Sequence, residues 1–175
     1  MRDALWVFTG ILAAMAGFTD WRWRRIPNWL TVPGLVLGVA ANAATDGWVG
    51  AKTALLGAGL GLALLLPLVM VRSLGAGDWK LTGALGAFLG PQRLIAVLMG
   101  TILVAGLMAL VLIVAKKRVR KTARNIWHLL VTLVRFHMPA RDVSLDNPES
   151  LKVPFGVAMA VTVIALAVGH MARIG

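Results

Sequence analysis

The sequence predicts an all-α membrane protein, a bundle of about six transmembrane helices that includes one short helix. Of its 175 residues, 59% are hydrophobic, and the mean hydropathy is +0.82, which is far more apolar than an average soluble domain. Only 14% of the residues are charged, and they cluster between apolar runs. The length suits one integral-membrane domain over 1–175. The apolar runs cover residues 4–19, 30–44, 51–71, 81–89, 94–115 and 153–172.

The first run is interpreted as a retained membrane span and not as a signal peptide. Arg2 is balanced by Asp3, so a basic amino-terminal region is missing, and the run leads into Asp20 and an arginine cluster. The third, fifth and sixth runs reach the roughly 20 residues that a spanning helix needs. The first and second are shorter and would be completed by flanking tryptophans and threonines.

The fourth run, 81–89, is too short to cross a bilayer as a helix. Nine residues rise about 14 Å at 1.5 Å each, against about 30 Å of hydrocarbon. Gly90 and Pro91 follow, and this pair is a strong helix break. We therefore expect other helices or a water-filled cavity to surround the short helix.

The distribution of basic residues predicts the orientation. With six crossings and the N-terminus outside, 14 of the 18 lysines and arginines fall on the inner side and four fall outside. Cytoplasmic loops carry such an excess of positive charge. In this orientation Asp20 ends the first span, and Asp78 begins the fourth span on the same side. Two carboxylates from distant parts of the chain are thus expected at one membrane depth.

Residues 116–152 form an insertion of a different kind. Over 116–136, apolar residues recur at intervals of three and four among lysines and arginines, which predicts a basic amphipathic helix on the inner leaflet. Residues 137–152 are predicted to be a polar loop. The net charge of +11 is attributed to contact with anionic lipid, and no nucleic acid partner is expected.

The chain has no cysteine, which excludes disulfides and thiolate metal ligands. Its three histidines, His128, His137 and His170, show no metal-ligand spacing with acids. Neither a metal nor another cofactor is expected.

Two neighbouring carboxyl groups can divide acid–base chemistry between them. They cannot both ionise easily, so one keeps a proton while the other takes a proton from water. Such a pair can hydrolyse a peptide bond without a covalent intermediate. Gly75 and Gly77 are expected to allow positive φ and close backbone approach, with Asp78 at the N-cap or in the first turn of the short helix. Two plainer interpretations stay open, because Asp78 could cap its helix and pair with Lys80, and Asp20 could pair with Arg24.

Three blocks of the sequence resemble one known family. GAGDWKLTGALGAFLG (75–90) contains a GxGD core, DWRWRRIPNWLT (20–31) places an aspartate before a basic run and Ile-Pro-Asn, and KVPFGVAMA (152–160) contains Pro-Phe-Gly. Together and in this order they resemble the type IV prepilin peptidases, which are GxGD intramembrane aspartic proteases. Those enzymes remove a short basic leader from prepilins at the cytoplasmic face of the bacterial inner membrane.

The resemblance implies roles for particular residues. Asp20 and Asp78 match the two catalytic aspartates of the family. Supporting positions are matched by Gly75, Gly77, Lys80, Ile26, Pro27, Asn28, Pro154, Phe155 and Gly156. The chain lacks the cysteine motifs that larger members carry near the N-terminus, so it resembles the short, peptidase-only form of tight-adherence (Flp-type) pili. The resemblance therefore does not extend to N-methylation, which the sequence leaves undecided.

Two other functions remain as alternatives. A protease of the presenilin or signal-peptide-peptidase type shares GxGD, but it uses a late Pro-Ala-Leu motif and more spans. A small membrane transporter or scaffold could use Asp20 and Asp78 as proton or cation sites, since paired intramembrane acids also mark such pathways.

Overall fold

A computed structural model describes residues 2–70, 74–116 and 154–172. These residues form four helices and no strand: α1 (Arg2–Trp23), α2 (Asn28–Met70), α3 (Ala76–Ala115) and α4 (Phe155–Met171). The all-α prediction is confirmed for this part of the chain. In the described ranges, α1, α2 and α3 are long and apolar enough to cross a membrane, and α4 is shorter. The chain is an integral membrane protein.

Helices α2 and α3 are each interrupted once. In α2, Asp46 (φ −126°, ψ 18°) and Gly47 (φ 59°, ψ −138°) leave the helical conformation between the second and third apolar runs. In α3, Gly90 (φ 73°, ψ 174°) does so directly before Pro91. The break therefore lies where the fourth run was predicted to end. The count of six membrane crossings stays a prediction.

The helix before this break is longer than the fourth apolar run. It begins at Ala76 and not at residue 81, so it includes Asp78 and Lys80 in its first turns. The apolar run missed these turns because their polar residues lower local hydropathy without preventing a helix. From 76 to 89 the rise is about 21 Å.

Asn42 of α2 compensates for the break in α3. Pro91 has no N–H to donate to the carbonyl of Ala87, and the turn at Gly90 separates the Phe88 carbonyl from its usual donor. The buried Asn42 side chain donates from Nδ2 to both carbonyl oxygens, at 2.9 Å for Ala87 and 3.1 Å for Phe88. Backbone groups without a partner in an apolar interior are costly, so this amide makes the break tolerable.

Small residues set the spacing of the helices. A Cβ on Gly57 of α2 would collide with the carbonyl oxygen of Gly86 in α3, and a Cβ on Gly86 would collide with that of Gly57. On α1, a Cβ on Gly17 would lie 2.6 Å from the Cβ of Ala160 in α4. Close backbone approach at small residues is typical of helix packing in membranes. The buried core between the helices contains Leu81, Leu85, Leu94, Met159 and Val163.

Four helix ends meet at one end of this bundle. They are the C-terminus of α1 and the N-termini of α2, α3 and α4. Residues of the first three ends line one cavity, and backbone amides of α4 donate to Asp20 of α1. The predicted amphipathic helix (116–136) and polar loop (137–152) lie outside the described residues, except for Lys116 after the last residue of α3.

Candidate active site

A cavity of about 360 Å³ lies where the four helix ends meet. Both predicted aspartates line it, although 57 residues separate them in the sequence. The two carboxyl groups are close enough to interact electrostatically. The structure therefore brings together the two acids that the orientation predicted at one depth. The lining residues are Asp20, Arg24, Arg25, Ile26, Asn28, Gly75, Ala76, Gly77, Asp78 and Lys80.

Asp20 lies in the last turn of α1 and is only 7% exposed. Its carboxylate accepts hydrogen bonds from the backbone amides of Gly156 and Val157, and the charge of Arg24 acts on it as well. Its Oδ2 atom has no hydrogen-bond partner among the described residues. The first turn of α4 thus holds one part of the carboxylate, and one oxygen remains available.

Arg24 ends α1 in the left-handed conformation, with φ 53°. Its backbone N–H donates to the carbonyl of Asp20 at 2.8 Å, which closes the last turn of the helix. Glycine is the usual residue at such a position, because a Cβ makes the conformation unfavourable. The turn directs the chain from Asp20 into the Ile26-Pro27-Asn28 segment that forms another wall of the cavity.

The Gly156 backbone lies directly against Asp20. A Cβ on Gly156 would lie 3.0 Å from both Cβ and Oδ2 of Asp20, and 2.9 Å from Cδ1 of Ile26. The neighbouring Pro154 is the N-cap of α4, and its carbonyl accepts the N–H of Ala158 at 3.2 Å. Phe155 is half-buried and packs against the core. The Pro-Phe-Gly segment therefore begins α4 beside Asp20, although Pro154 and Phe155 do not line the cavity.

Asp78 is the third residue of α3, in its first turn as predicted. Gly75 is the N-cap, and its backbone N–H donates back to the Asp78 carboxylate. This is one half of a capping box, in which an acid at the third helical position satisfies the N-cap amide. The side chain is half-buried, and Oδ1 has no hydrogen-bond partner among the described residues. Each aspartate thus keeps one uncommitted oxygen.

The expected role of positive φ for Gly75 and Gly77 is wrong. Gly75 has φ −70°, and Gly77 has helical backbone within α3. The expectation of close approach holds for Gly77, because a Cβ there would lie 3.1 Å from both Cβ and the carbonyl oxygen of Ile26. Ile26 itself is buried. Gly77 therefore lets the start of α3 contact the α1–α2 connection, and its conformational freedom is not used.

Lys80 contacts Asn28, contrary to the plainer interpretation in which it pairs with Asp78. Its Nζ donates to Oδ1 of Asn28 at 2.9 Å. Pro27 does not line the cavity, and its carbonyl accepts the N–H groups of Leu30 at 3.1 Å and Thr31 at 3.4 Å. The Ile-Pro-Asn segment thus begins α2 and also places an amide oxygen beside Lys80.

Three contributors to the site were not predicted. Arg25 and Ala76 line the cavity, and Val157 provides a backbone amide to Asp20. Arg25 lies in the block 20–31 and Ala76 in the block 75–90, so their closeness in sequence to Asp20 and Asp78 could have indicated them. Val157 contributes no side chain to the contact, so its residue type carries no signal. Within the described residues, no group of three or more potential metal ligands occurs.

The fold and cavity define an integral membrane protein with two acids at the ends of its helices. The chain belongs to the type IV leader peptidase family, whose model matches residues 6–113. It is similar to a prepilin leader peptidase/N-methyltransferase of Xanthomonas campestris pv. campestris, with 32% identity over 123 residues. That match covers 66% of this chain and 42% of the relative, so the chain spans less than half the length of this curated relative. No solved structure matches the chain.

Proposed function

We propose that this chain is an aspartic endopeptidase that removes the basic leader from type IV, Flp-like prepilins at the cytoplasmic face of the bacterial inner membrane. Asp20 and Asp78 are the proposed catalytic pair. The observation that carries the proposal is their convergence in one cavity, each with a carboxylate oxygen that has no partner among the described residues. Membership of the type IV leader peptidase family supplies the substrate class.

In the proposed reaction the two carboxyl groups share one proton and act on a water molecule between them. The ionised group takes a proton from water, while the water oxygen forms a bond to the carbonyl carbon and the π electrons move onto the carbonyl oxygen. The protonated group donates a hydrogen bond to that oxygen. When the intermediate collapses, the C=O bond re-forms as the C–N bond breaks. The carboxyl group that took the water proton gives it to the leaving nitrogen, which returns the pair to its starting state and releases both products.

The position of the cavity suits a substrate that is itself partly in the membrane. The cavity lies beside the ends of apolar helices, and exposed tryptophans of the same helix ends, Trp21, Trp23 and Trp29, are typical of a membrane interface. A prepilin whose leader is cytoplasmic and whose next segment is a hydrophobic helix would present its scissile bond at this depth. Anionic lipid is the second proposed partner, through the basic segment 116–136.

The test is co-expression of the chain with a Flp-type prepilin, followed by immunoblotting for leader removal. We expect Asp20→Asn and Asp78→Asn each to abolish cleavage, because an amide can neither take the water proton nor return it. Both variants should accumulate in the membrane at wild-type levels, since Asn is nearly isosteric with Asp. Full cleavage by either variant would exclude the two-aspartate mechanism. An inactive wild-type chain would instead support the transporter or scaffold alternative.

A further inference from the structure

We propose that Lys80, held in place by Asn28, is a substrate-contacting residue that stabilises the carbonyl oxygen of the scissile bond. This inference rests on the proposed peptidase function and adds a third participant to it. Three features of the cavity lead to it. They are the position of Lys80 on α3, the neutral side chain to which it donates a hydrogen bond, and the carboxylate oxygens of Asp20 and Asp78 that it leaves unpaired.

The first feature is geometric. Lys80 follows Asp78 by two positions on α3, and residues two apart on a helix do not face each other. Nevertheless both residues line the same cavity. A lysine side chain is long enough to turn back, but it loses conformational entropy when it is held in one orientation. Some contact must therefore fix it, and the structure contains one.

The second feature is that contact. Nζ of Lys80 donates to Oδ1 of Asn28 at 2.9 Å, across 52 residues of sequence. The amide oxygen is neutral, so it orients the ammonium group without cancelling its charge. A lysine ammonium has three N–H donors, and this hydrogen bond uses one of them. The remaining donors keep the charge that a developing negative oxygen requires.

The third feature is the state of the acids. Asp20 Oδ2 and Asp78 Oδ1 have no hydrogen-bond partner among the described residues, so the Lys80 ammonium is not engaged with these oxygens. Arg24 and Arg25 also line the cavity, and the charge of Arg24 acts on Asp20. The Lys80 ammonium is separate from the proton-transfer oxygens and lies on the same helix as Asp78. Peptide hydrolysis places negative charge on the carbonyl oxygen in the transition state, and a preoriented cationic donor stabilises that charge.

In the reaction, Lys80 transfers no proton. As water adds to the carbonyl carbon, the π electrons move onto the carbonyl oxygen, and Nζ donates a hydrogen bond to that oxygen. When the tetrahedral intermediate collapses, those electrons re-form the C=O bond as the C–N bond breaks. Lys80 and the protonated aspartate thus act on the same oxygen, while the ionised aspartate acts on water.

A purely structural role for the Lys80–Asn28 pair makes a different prediction. If the pair only joined the start of α3 to the start of α2, removing either partner would have the same effect, since the hydrogen bond is lost in both cases. If Lys80 contacts substrate, its loss should be the more damaging, because Asn28→Ala leaves the cation in the cavity. Comparison of the two variants separates these roles.

The experiment uses the full chain, reconstituted in phosphatidylethanolamine–phosphatidylglycerol vesicles with a Flp-type prepilin as the probe. We expect Lys80→Met to lower kcat roughly 100-fold, as for loss of one oxyanion donor, with KM changed less than about threefold. Asn28→Ala should lower kcat roughly tenfold, because the ammonium loses one orienting hydrogen bond. Lys80→Arg, which keeps a cationic donor, should restore at least about tenfold over Lys80→Met.

Lys52→Met is the matched control. Lys52 lies on α2 and does not line this cavity. Its Nζ atom is 5.5 Å from the ring centroid of Trp48. The Lys52→Met variant should cleave prepilin at the wild-type rate. Equal losses in Lys80→Met and Asn28→Ala, or wild-type kcat in Lys80→Met, would overturn the inference and leave the peptidase proposal intact. A wild-type chain without cleavage activity would overturn both.

Discussion

Gly156 has no side chain, and this is what lets the first turn of α4 approach Asp20. Its backbone amide and that of Val157 donate to the carboxylate, and a Cβ would lie 3.0 Å from the carboxylate oxygen Oδ2. A Cβ contact of 3.0 Å is tighter than most, so the carboxylate or the helix would have to shift by a few tenths of an ångström. The glycine of the Pro-Phe-Gly segment is therefore explained by contact with Asp20, and it needs no unusual backbone conformation.

Gly156→Ala tests this contact at the level of one methyl group. We expect α4 to shift away from Asp20 and prepilin cleavage to slow roughly 10- to 100-fold, because hydrogen bonds to a charged group contribute about 1.5–3 kcal/mol. Gly169→Ala is the matched control, since a Cβ at that position of α4 meets nothing within 4 Å. It should leave cleavage unchanged. Wild-type rates in both variants would show that the contact does not orient Asp20.

Among the helices, the interrupted α3 depends on its neighbour α2. The two carbonyls left without donors by the Gly90-Pro91 break are both satisfied by Asn42, which is 45 residues away from the nearer one. Glycine and proline predicted the break from the sequence, because both act on the local backbone. The role of Asn42 was not predicted, because a single asparagine in an apolar run does not indicate which carbonyl it will meet.

Asn42→Ala should therefore destabilise the chain without touching the aspartates. Loss of the amide leaves buried carbonyls unpaired, and we expect a cost of about 1–3 kcal/mol in the free energy of unfolding. Thermal unfolding in detergent measures it. Thr45→Ala is a suitable control on the same helix, because Thr45 donates only to the nearby Asn42 carbonyl, at 3.0 Å. A melting temperature for Asn42→Ala as high as that of the control would contradict the role given to this side chain.

For the whole molecule, the orientation predicted from charge gives the two ends of the bundle different environments. Trp29 is 63% exposed at the start of α2, on the side of the cavity, and Trp48 is 70% exposed beside the Asp46–Gly47 interruption. The sequence has no cysteine, so a single introduced cysteine would be the sole target for a maleimide. These two positions can report the orientation separately.

We expect Trp48→Cys to react with a membrane-impermeant maleimide in intact spheroplasts. Trp29→Cys should react only after the membrane is permeabilised, because the excess of basic residues predicts a cytoplasmic position for its side. The labelled fraction of each variant, resolved by gel mobility, is the measurement. The opposite pattern would place the cavity outside the cell and would exclude cleavage of a cytoplasmic leader.

Features set by local sequence or by overall composition could be predicted, whereas contacts between distant parts of the chain could not. The all-α membrane fold followed from composition. Membrane sidedness predicted that Asp20 and Asp78 share one depth, but it could not predict that they line one cavity, because depth does not fix how helices pack around each other. The conformation of Gly75 was predicted wrongly, since the GxGD pattern does not distinguish a positive-φ turn from a helix N-cap. The Gly156–Asp20 contact was missed because no local pattern encodes which backbone amide meets a distant carboxylate.

The dependence of Asp20 on α4 also has a consequence for biosynthesis. Chains enter the membrane from the N-terminus onward, so Asp20 and Asp78 are both inserted before Gly156 and Val157 have been translated. During that interval the cavity lacks the backbone donors that hold Asp20. A nascent chain would thus carry both acids in an unfinished site, and the proposed proteolytic activity would arise only after α4 has been synthesised. We expect pulse-chase measurement of cleavage against chain length to show activity appearing once α4 is present.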